Sequence, residues 1–172
     1  CIAESFYRSF DTPVTIVRPF NTFGPRQSAR AIIPTIISQL LNQTETLKLG
    51  DVYPTRDLLY VKDTVQAFMT IADTKTLIGE DCNIATNTEI SIGDLAEKLI
   101  TLLSPGTQIV QENERMRPEK SEVYRLWGTA DKLKQHTDWT PKHTFDEALA
   151  ITVEWFRDPA NLSKYKSNIY NV

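Results

Sequence analysis

The chain has 172 residues, 41% hydrophobic and 24% charged, which is ordinary globular-domain composition and enough length for one sizeable core. Nineteen basic against 22 acidic residues give a formal charge of −3 with no long block of either sign, which argues against a general nucleic-acid or polyanion binder. No stretch approaches the roughly 18 apolar residues of a membrane span. Two cysteines, Cys1 and Cys82, are too few for a disulfide framework and suit a reducing, cytoplasmic compartment. Glu4 and Arg8 stand where a secretory leader would carry an apolar run.

The chain opens in a helical pattern already under way. Ile2, Ala3, Phe6, Tyr7 and Phe10 recur at helical spacing with no capping residue ahead of them, and the first residue is Cys, so the expectation is a piece of a longer chain. Asp11-Thr12-Pro13 stops this helix. Val14–Val17 reads as a short buried strand, and residues 18–30, with Pro19, Gly24 and Pro25, read as a loop. Ile32, Ile33, Ile36, Ile37, Leu40 and Leu41 form a helical stripe, with Pro34 tolerable only in its first turn. Leu47-Lys48-Leu49 alternates as a strand ending at Gly50, and Leu58–Val61 is a second short apolar run.

Asp63 with Gln66 has the spacing of a capping box for a helix through Val65, Phe68, Met69 and Ala72. A strand is expected at Asn83–Ala85. Ser91-x-x-Asp94 is an acidic capping box before Ile92, Leu95, Ala96, Leu99, Ile100 and Leu103, the cleanest amphipathic stripe in the chain. A strand at Thr107–Val110, a short helix at Ala130–His136 and a last helix from Thr144-x-x-Glu147 through Phe156 complete the reading. Short strands interleaved with helices indicate an α/β or α+β fold. With no repeat, low-complexity tract or linker, one compact unit is expected.

No catalytic engine is visible in these residues. The six glycines, at 24, 50, 79, 93, 106 and 128, are too scattered for a dinucleotide or NTP phosphate cradle. The two histidines, His136 and His143, flank a polar stretch and read as exposed loop residues, and no Cys or His has metal-ligand spacing. What stands out is arginine beside turn residues: Arg18, Arg26 and Arg30 in an acid-free loop, Arg56 before an apolar run, and Arg115 and Arg117 after a strand. Guanidinium forks suit phosphate, so arginines from three loops could clamp a diphosphate. Each is equally open to a reading as a solvated charge, or as paired with a neighbour such as Asp57 or Glu119.

The order of motifs resembles the C-terminal half of extended short-chain dehydrogenase/reductases acting on nucleotide sugars. It is carried by Arg18-Pro-Phe-Asn-Thr-Phe-Gly-Pro-Arg26, Ile33-Pro34, Leu49-Gly50, Arg56-Asp-Leu-Leu-Tyr-Val-Lys-Asp63, Arg117-Pro118 and Trp139-Thr-Pro141. The run from Arg18 through Ile37 looks most like NAD-dependent 4,6-dehydratases of N-acetylglucosamine nucleotides, such as those feeding legionaminic acid synthesis. Relatives include dTDP-glucose and GDP-mannose dehydratases and UDP-sugar 4-epimerases. The resemblance implies an α/β fold made of the end of a Rossmann domain plus a small substrate-binding domain. It places the glycine-rich NAD loop, the Tyr-x-x-x-Lys dyad and the acid–base pair upstream of Cys1, so that this chain alone would be inactive.

It also implies that Pro19 and Phe20 approach the nicotinamide of NAD and that Asn21 donates to the sugar diphosphate. Ile32, Ile33 and Leu49 would line the base pocket, although plain core is the competing reading. Arg56 and Arg117 would bind the diphosphate, Glu119 the ribose hydroxyls, and Arg26 and Arg30 the sugar or diphosphate. Trp139 and Pro141 read as structural. The partners implied are a nucleotide-diphosphate sugar and a second copy in a homodimer; nucleic acid, membrane and metal are not expected.

Overall fold

Asp11 takes a left-handed backbone conformation (φ 51°), and its N–H closes the first helix, α1 (Ile2–Phe10), on Tyr7 O. From there the computed structural model describes residues 2–116 and 122–166. The chain forms two compact units that interleave in sequence. One comprises Cys1–Thr22, Asp57–Glu89 and Trp127–Phe145; the other comprises Phe23–Arg56, Ile90–Leu126 and Asp146–Val172. The crossings after Arg56, Glu89 and Leu126 fall at strand ends, where no linker composition marks them.

In the first unit, β1 is Ile16–Pro19, two residues later than the apolar run Val14–Val17 predicts. The ladder partner decides this: β1 pairs in parallel with β6 (Asp81–Ile84) in the register Ile16↔Asp81 to Pro19↔Ile84. Hydrophobicity reports burial, whereas pairing follows the partner's backbone. Val14 O instead accepts from Gly79 N, and Phe20 N continues the ladder to Ile84 O. The chain then enters β2 (Asn21–Phe23), in a stretch predicted as loop, and β2 pairs with β5 (Leu58–Tyr60).

Helix α3 (Val61–Asp73) follows β5 directly, so Asp63 lies inside its first turn and does not cap it. The buried carboxylate accepts from Lys142 N, His143 N and His143 Nδ1 at 3.0–3.2 Å, fastening a segment 79 and 80 residues away. His143 is therefore half-buried and stacked edge-on against Tyr60, not the exposed loop residue expected. Helix α5 (Asp131–His136) packs on β6. Leu59, Ala67, Ile71, Leu77, Cys82, Ile84, Leu133 and Trp139, with Val17 against them, form this unit's core.

The second unit is built on the stripes the sequence announces. Helix α2 (Ile32–Leu41) buries Ile33, Ile36, Ile37 and Leu40 and carries Pro34 in its first turn, where no intrahelical N–H is needed. It packs against α4 (Ile92–Leu103), whose cap, Ser91, accepts from Asp94 N at 2.9 Å. β3 (Thr46–Leu49) pairs in parallel with β8 (Gln108–Gln111). Buried Gln39 extends that ladder with a side chain: it accepts from Lys48 N at 2.9 Å and donates to Lys48 O at 3.1 Å. β4 (Thr55–Arg56) lies between β7 (Ile90–Ser91), antiparallel, and β9 (Arg125–Leu126), parallel. Helix α6 (Phe145–Arg157) buries Leu149, Val153 and Phe156, and α7 (Pro159–Leu162) is capped by Asp158. No helix among the described residues is long and apolar enough to cross a membrane.

Candidate functional site

In the first unit the segment after β1 is fixed from below. Pro19 is exposed and Phe20 half-buried. The Phe20 ring lies so close to Gly128 that a Cβ there would stand 2.2 Å from the ring. Asn21 Nδ2 donates to Asp57 O at 3.3 Å, and Thr22 Oγ1 meets Thr64 Oγ1 at 3.2 Å. The positions the sequence offered as a turn therefore sit on a strand, tied by side chains to the elements beside it.

Asp57 is the centre of this arrangement. It is completely buried, and its carboxylate accepts from Thr86 N at 3.0 and 3.1 Å, Thr86 Oγ1 at 2.8 Å and Asn87 N at 3.2 Å. Gly128 N is a further donor. Asn87, in a left-handed conformation (φ 67°), accepts from Ala130 N through its own side chain at 3.2 Å. Burial raises the Asp57 carboxyl above its ordinary value, while these donors pull it back. One carboxylate thus joins the residues after β6, the segment holding Gly128 and, through its carbonyl, Asn21.

In the second unit Arg56 ends β4 with 14% of its side chain exposed. Its Nη1 donates to Thr55 O at 2.8 Å and Val123 O at 2.7 Å, and its Nη2 donates to Glu122 Oε1 at 3.1 Å. The carboxylate beside Arg56 is therefore Glu122, not the adjacent Asp57 suggested by the sequence. Ile33 and Leu49 are 0% and 1% exposed in the core of this unit and present no surface, whereas Ile32 is half-buried at the start of α2. Arg26 and Arg30 are exposed, and Arg26 has a positive φ of 68°. Tyr165 donates to Gln27 O at 2.7 Å, pinning that loop.

The remaining arginines divide. Arg18, in the first unit, pairs with Asp81, a carboxylate that Lys132 also holds. Arg115 donates from Nε to Glu112 at 2.9 Å in a single 3-10 turn, and Gly50 touches the Arg115 carbonyl so closely that a Cβ would stand 2.3 Å from it. Arg117 and Glu119 lie outside the described residues. No group of three or more His, Cys, Asp or Glu that could hold a metal occurs among the described residues. Sequence reasoning missed Asp57, Thr86, Asn87, Glu122 and Gly128. The one signal available was the Arg56-Asp57 pair itself, read for its cation.

Parallel strand pairs and helices in each unit define the class, an α/β fold, and comparison with known proteins narrows it. The family model for GDP-mannose 4,6-dehydratases matches residues 1–152. The mouse dTDP-D-glucose 4,6-dehydratase is 34% identical over 163 residues, covering 91% of this chain and 44% of the mouse protein. Among solved structures, an epimerase from Methanothermobacter thermautotrophicus superposes with a TM-score of 0.84 at 28% identity, over 95% of this chain and 48% of the other. The dTDP-glucose 4,6-dehydratase of Bacillus anthracis, solved with NAD, gives 0.79 at 30% identity, over 92% and 49%. The chain belongs to the GDP-mannose 4,6-dehydratase family, with the fold of NAD-dependent extended dehydratases and epimerases. It spans about half the length of the relatives it matches.

Proposed function

We propose that this chain is the substrate-binding side of an NAD-dependent nucleotide-sugar 4,6-dehydratase, and that Arg56 binds the substrate diphosphate. The observation that carries the reading is the state of Arg56: a mostly buried guanidinium, held by three acceptors, whose Nε–H has no partner among the described residues. Such a group is preorganised for a charge-assisted bond to phosphate. Arg117 is assigned the same role and Glu119 the ribose hydroxyls. Asn21 is assigned to the sugar diphosphate, and Ile32, Ile33 and Leu49 to the base pocket. Of these three, Ile32 alone has surface to offer in this state.

NAD fits what this chain provides to the extent of one wall. Pro19 and Phe20 would flank the nicotinamide, and the approach of Gly128 to the Phe20 ring fixes where that wall stands. When bound, NAD supplies a hydride acceptor that later gives the hydride back. The reaction proposed for the whole protein is oxidation at C4 of the sugar, loss of water across C5 and C6, and hydride return to C6. This chain's residues contribute by holding the nucleotide diphosphate, so that the sugar is oriented and the reaction becomes effectively unimolecular. The finer assignment, an N-acetylglucosamine nucleotide, rests on the run from Arg18 through Ile37. A 4-epimerase is the second reading, favoured by the likeness to the methanogen epimerase.

The test uses the full-length protein with UDP-, GDP- and dTDP-sugars, products being followed by mass and by proton NMR. Loss of one water identifies the dehydratase, and an unchanged mass with inverted C4 identifies the epimerase. Arg56→Ala is expected to raise KM about 10- to 150-fold, the equivalent of one charge-assisted hydrogen bond, with kcat reduced far less, because the diphosphate does not change in the reaction. Normal KM in a folded variant would remove Arg56 from the site.

A further inference from the structure

Arg56 offers five N–H donors, and the described residues use three of them. Both hydrogens of Nη1 are engaged, by Thr55 O and Val123 O, and Glu122 Oε1 engages Nη2. Glu122 and Val123 are consecutive, and Glu122 Oε1 also accepts from Val123 N at 3.0 Å, so the carboxylate is itself held in place. Their segment runs beside β4, since Thr55 N donates to Tyr124 O and Arg56 pairs with Leu126 in the parallel ladder. Two consecutive residues gripping Nη2 and Nη1 hold a guanidinium by its tip. The donors left over are Nε–H and one hydrogen of Nη2.

We propose that Glu122 is a positioning residue for nucleotide-sugar binding: it holds Arg56 by its Nη2 so that the remaining donors, Nε–H first among them, stay aimed and free to take one phosphate of the diphosphate. The inference rests on the reading of Arg56 given above and adds to it a residue that does not touch the ligand. The pair is 14% and 10% exposed, so water replaces Glu122 poorly if it is removed. A solvated arginine would have to be ordered anew at each binding event. With Glu122 present that ordering is already done, and the cost avoided is that of one immobilised long side chain.

The experiment measures the affinity of the full-length protein for UDP, GDP and dTDP by calorimetry, in wild type, Arg56→Ala, Glu122→Ala, Glu122→Gln and the Arg56→Ala/Glu122→Ala double variant. Glu122→Ala is expected to weaken the nucleotide that binds wild type by about 2- to 12-fold, the ordering cost of one side chain. Glu122→Gln, which keeps an acceptor oxygen at the same reach, should stay within about twofold of wild type on the same scale. In the Arg56→Ala background Glu122→Ala should change nothing, a non-additivity that general loosening of the fold would not produce. In turnover the loss should fall on KM with kcat retained. If Glu122→Ala does not fold, Glu122→Asp, with the charge kept and the reach shortened by one methylene, takes its place with the same expected loss. Wild-type or tighter binding in Glu122→Ala, or in Glu122→Asp where it stands in, with Arg56→Ala weakened, overturns the positioning role alone. Unchanged binding in Arg56→Ala overturns the diphosphate reading of Arg56 and the positioning role with it.

Discussion

Replacing Asp57 by Asn alters one atom at the most connected buried group of the first unit. Four donor groups converge on its carboxylate: Thr86 N, Thr86 Oγ1, Asn87 N and Gly128 N. An amide keeps one oxygen and turns an NH2 towards donors that then have no acceptor. A hydrogen bond to a charged group is worth about 1.5–3 kcal/mol, and a buried donor left unsatisfied costs about 1–3 kcal/mol more. Relief of the buried charge offsets part of this, so a net destabilisation of about 3 kcal/mol is expected. Urea unfolding of the full-length protein, wild type against Asp57→Asn, reads this difference at constant m.

The pH dependence gives a second readout. Burial raises the folded carboxyl above its ordinary value of 3.8. A raised carboxyl contributes most below that ordinary value, and its contribution is lost as pH rises through the folded value. Asn does not titrate. The gap between wild type and variant should therefore be widest at the acid end, narrow through the weakly acidic range and be constant above it. A variant within about 0.5 kcal/mol of wild type, the size of an ordinary surface substitution, or a gap that widens with rising pH, would refute the role given to Asp57.

Gly128→Ala places a Cβ 2.2 Å from the Phe20 ring, so the ring or the segment must move; destabilisation of about 1–3 kcal/mol is expected. In a Phe20→Ala background the same change should cost little, and an undiminished cost in the double variant would mean that the ring is not what Gly128 accommodates. Asp81, hydrogen-bonded first by Lys132 and then by Arg18, is held down to about 2 from an ordinary 3.8. Its contribution to stability is present above 3.8 and lost as pH falls through about 2. A carbon-detected carboxyl titration should find its midpoint near 2, and a midpoint at or above 3.8 would break the pairing.

The elements legible in the sequence are those whose signal is local and repeated. Helices α2, α4 and α6 each show several turns of one apolar face, and the Ser91–Asp94 cap lies within four residues of itself. Strands β4, β7 and β9 have two residues each, too few for a period of two to show, and they exist because they pair with one another. Gln39 is an ordinary polar helix residue until Lys48 is seen beside it. Asp63 illustrates the harder failure. Its spacing to Gln66 fits a cap, but its use is decided by a segment 79 residues later that local pattern cannot bring near. The candidate site divides the same way: Arg56 could be singled out as a cation beside an apolar run, whereas Glu122 and Asp57 take their meaning from distant partners.

Arg56 and Asp57 are joined by one peptide bond, yet their partners are disjoint. The arginine is held by Thr55, Glu122 and Val123; the aspartate by Thr86, Asn87 and Gly128. A ligand-binding guanidinium needs more than a fixed tip, because four rotatable bonds separate it from the backbone and any slack there spreads its position. On the proposed reading Glu122 removes slack at the guanidinium end, while Asp57 ties together segments of its own unit. The two carboxylates act by different physics, one fully buried and saturated with neutral donors, the other paired with the cation itself. Asp57→Asn should lower stability, while Glu122→Ala should also lower affinity, because it removes the partner of the guanidinium itself. A cation next to a carboxylate in sequence invites reading the two as an ion pair; here each is engaged by partners of its own, Glu122 for the arginine and Thr86 and Asn87 for the aspartate.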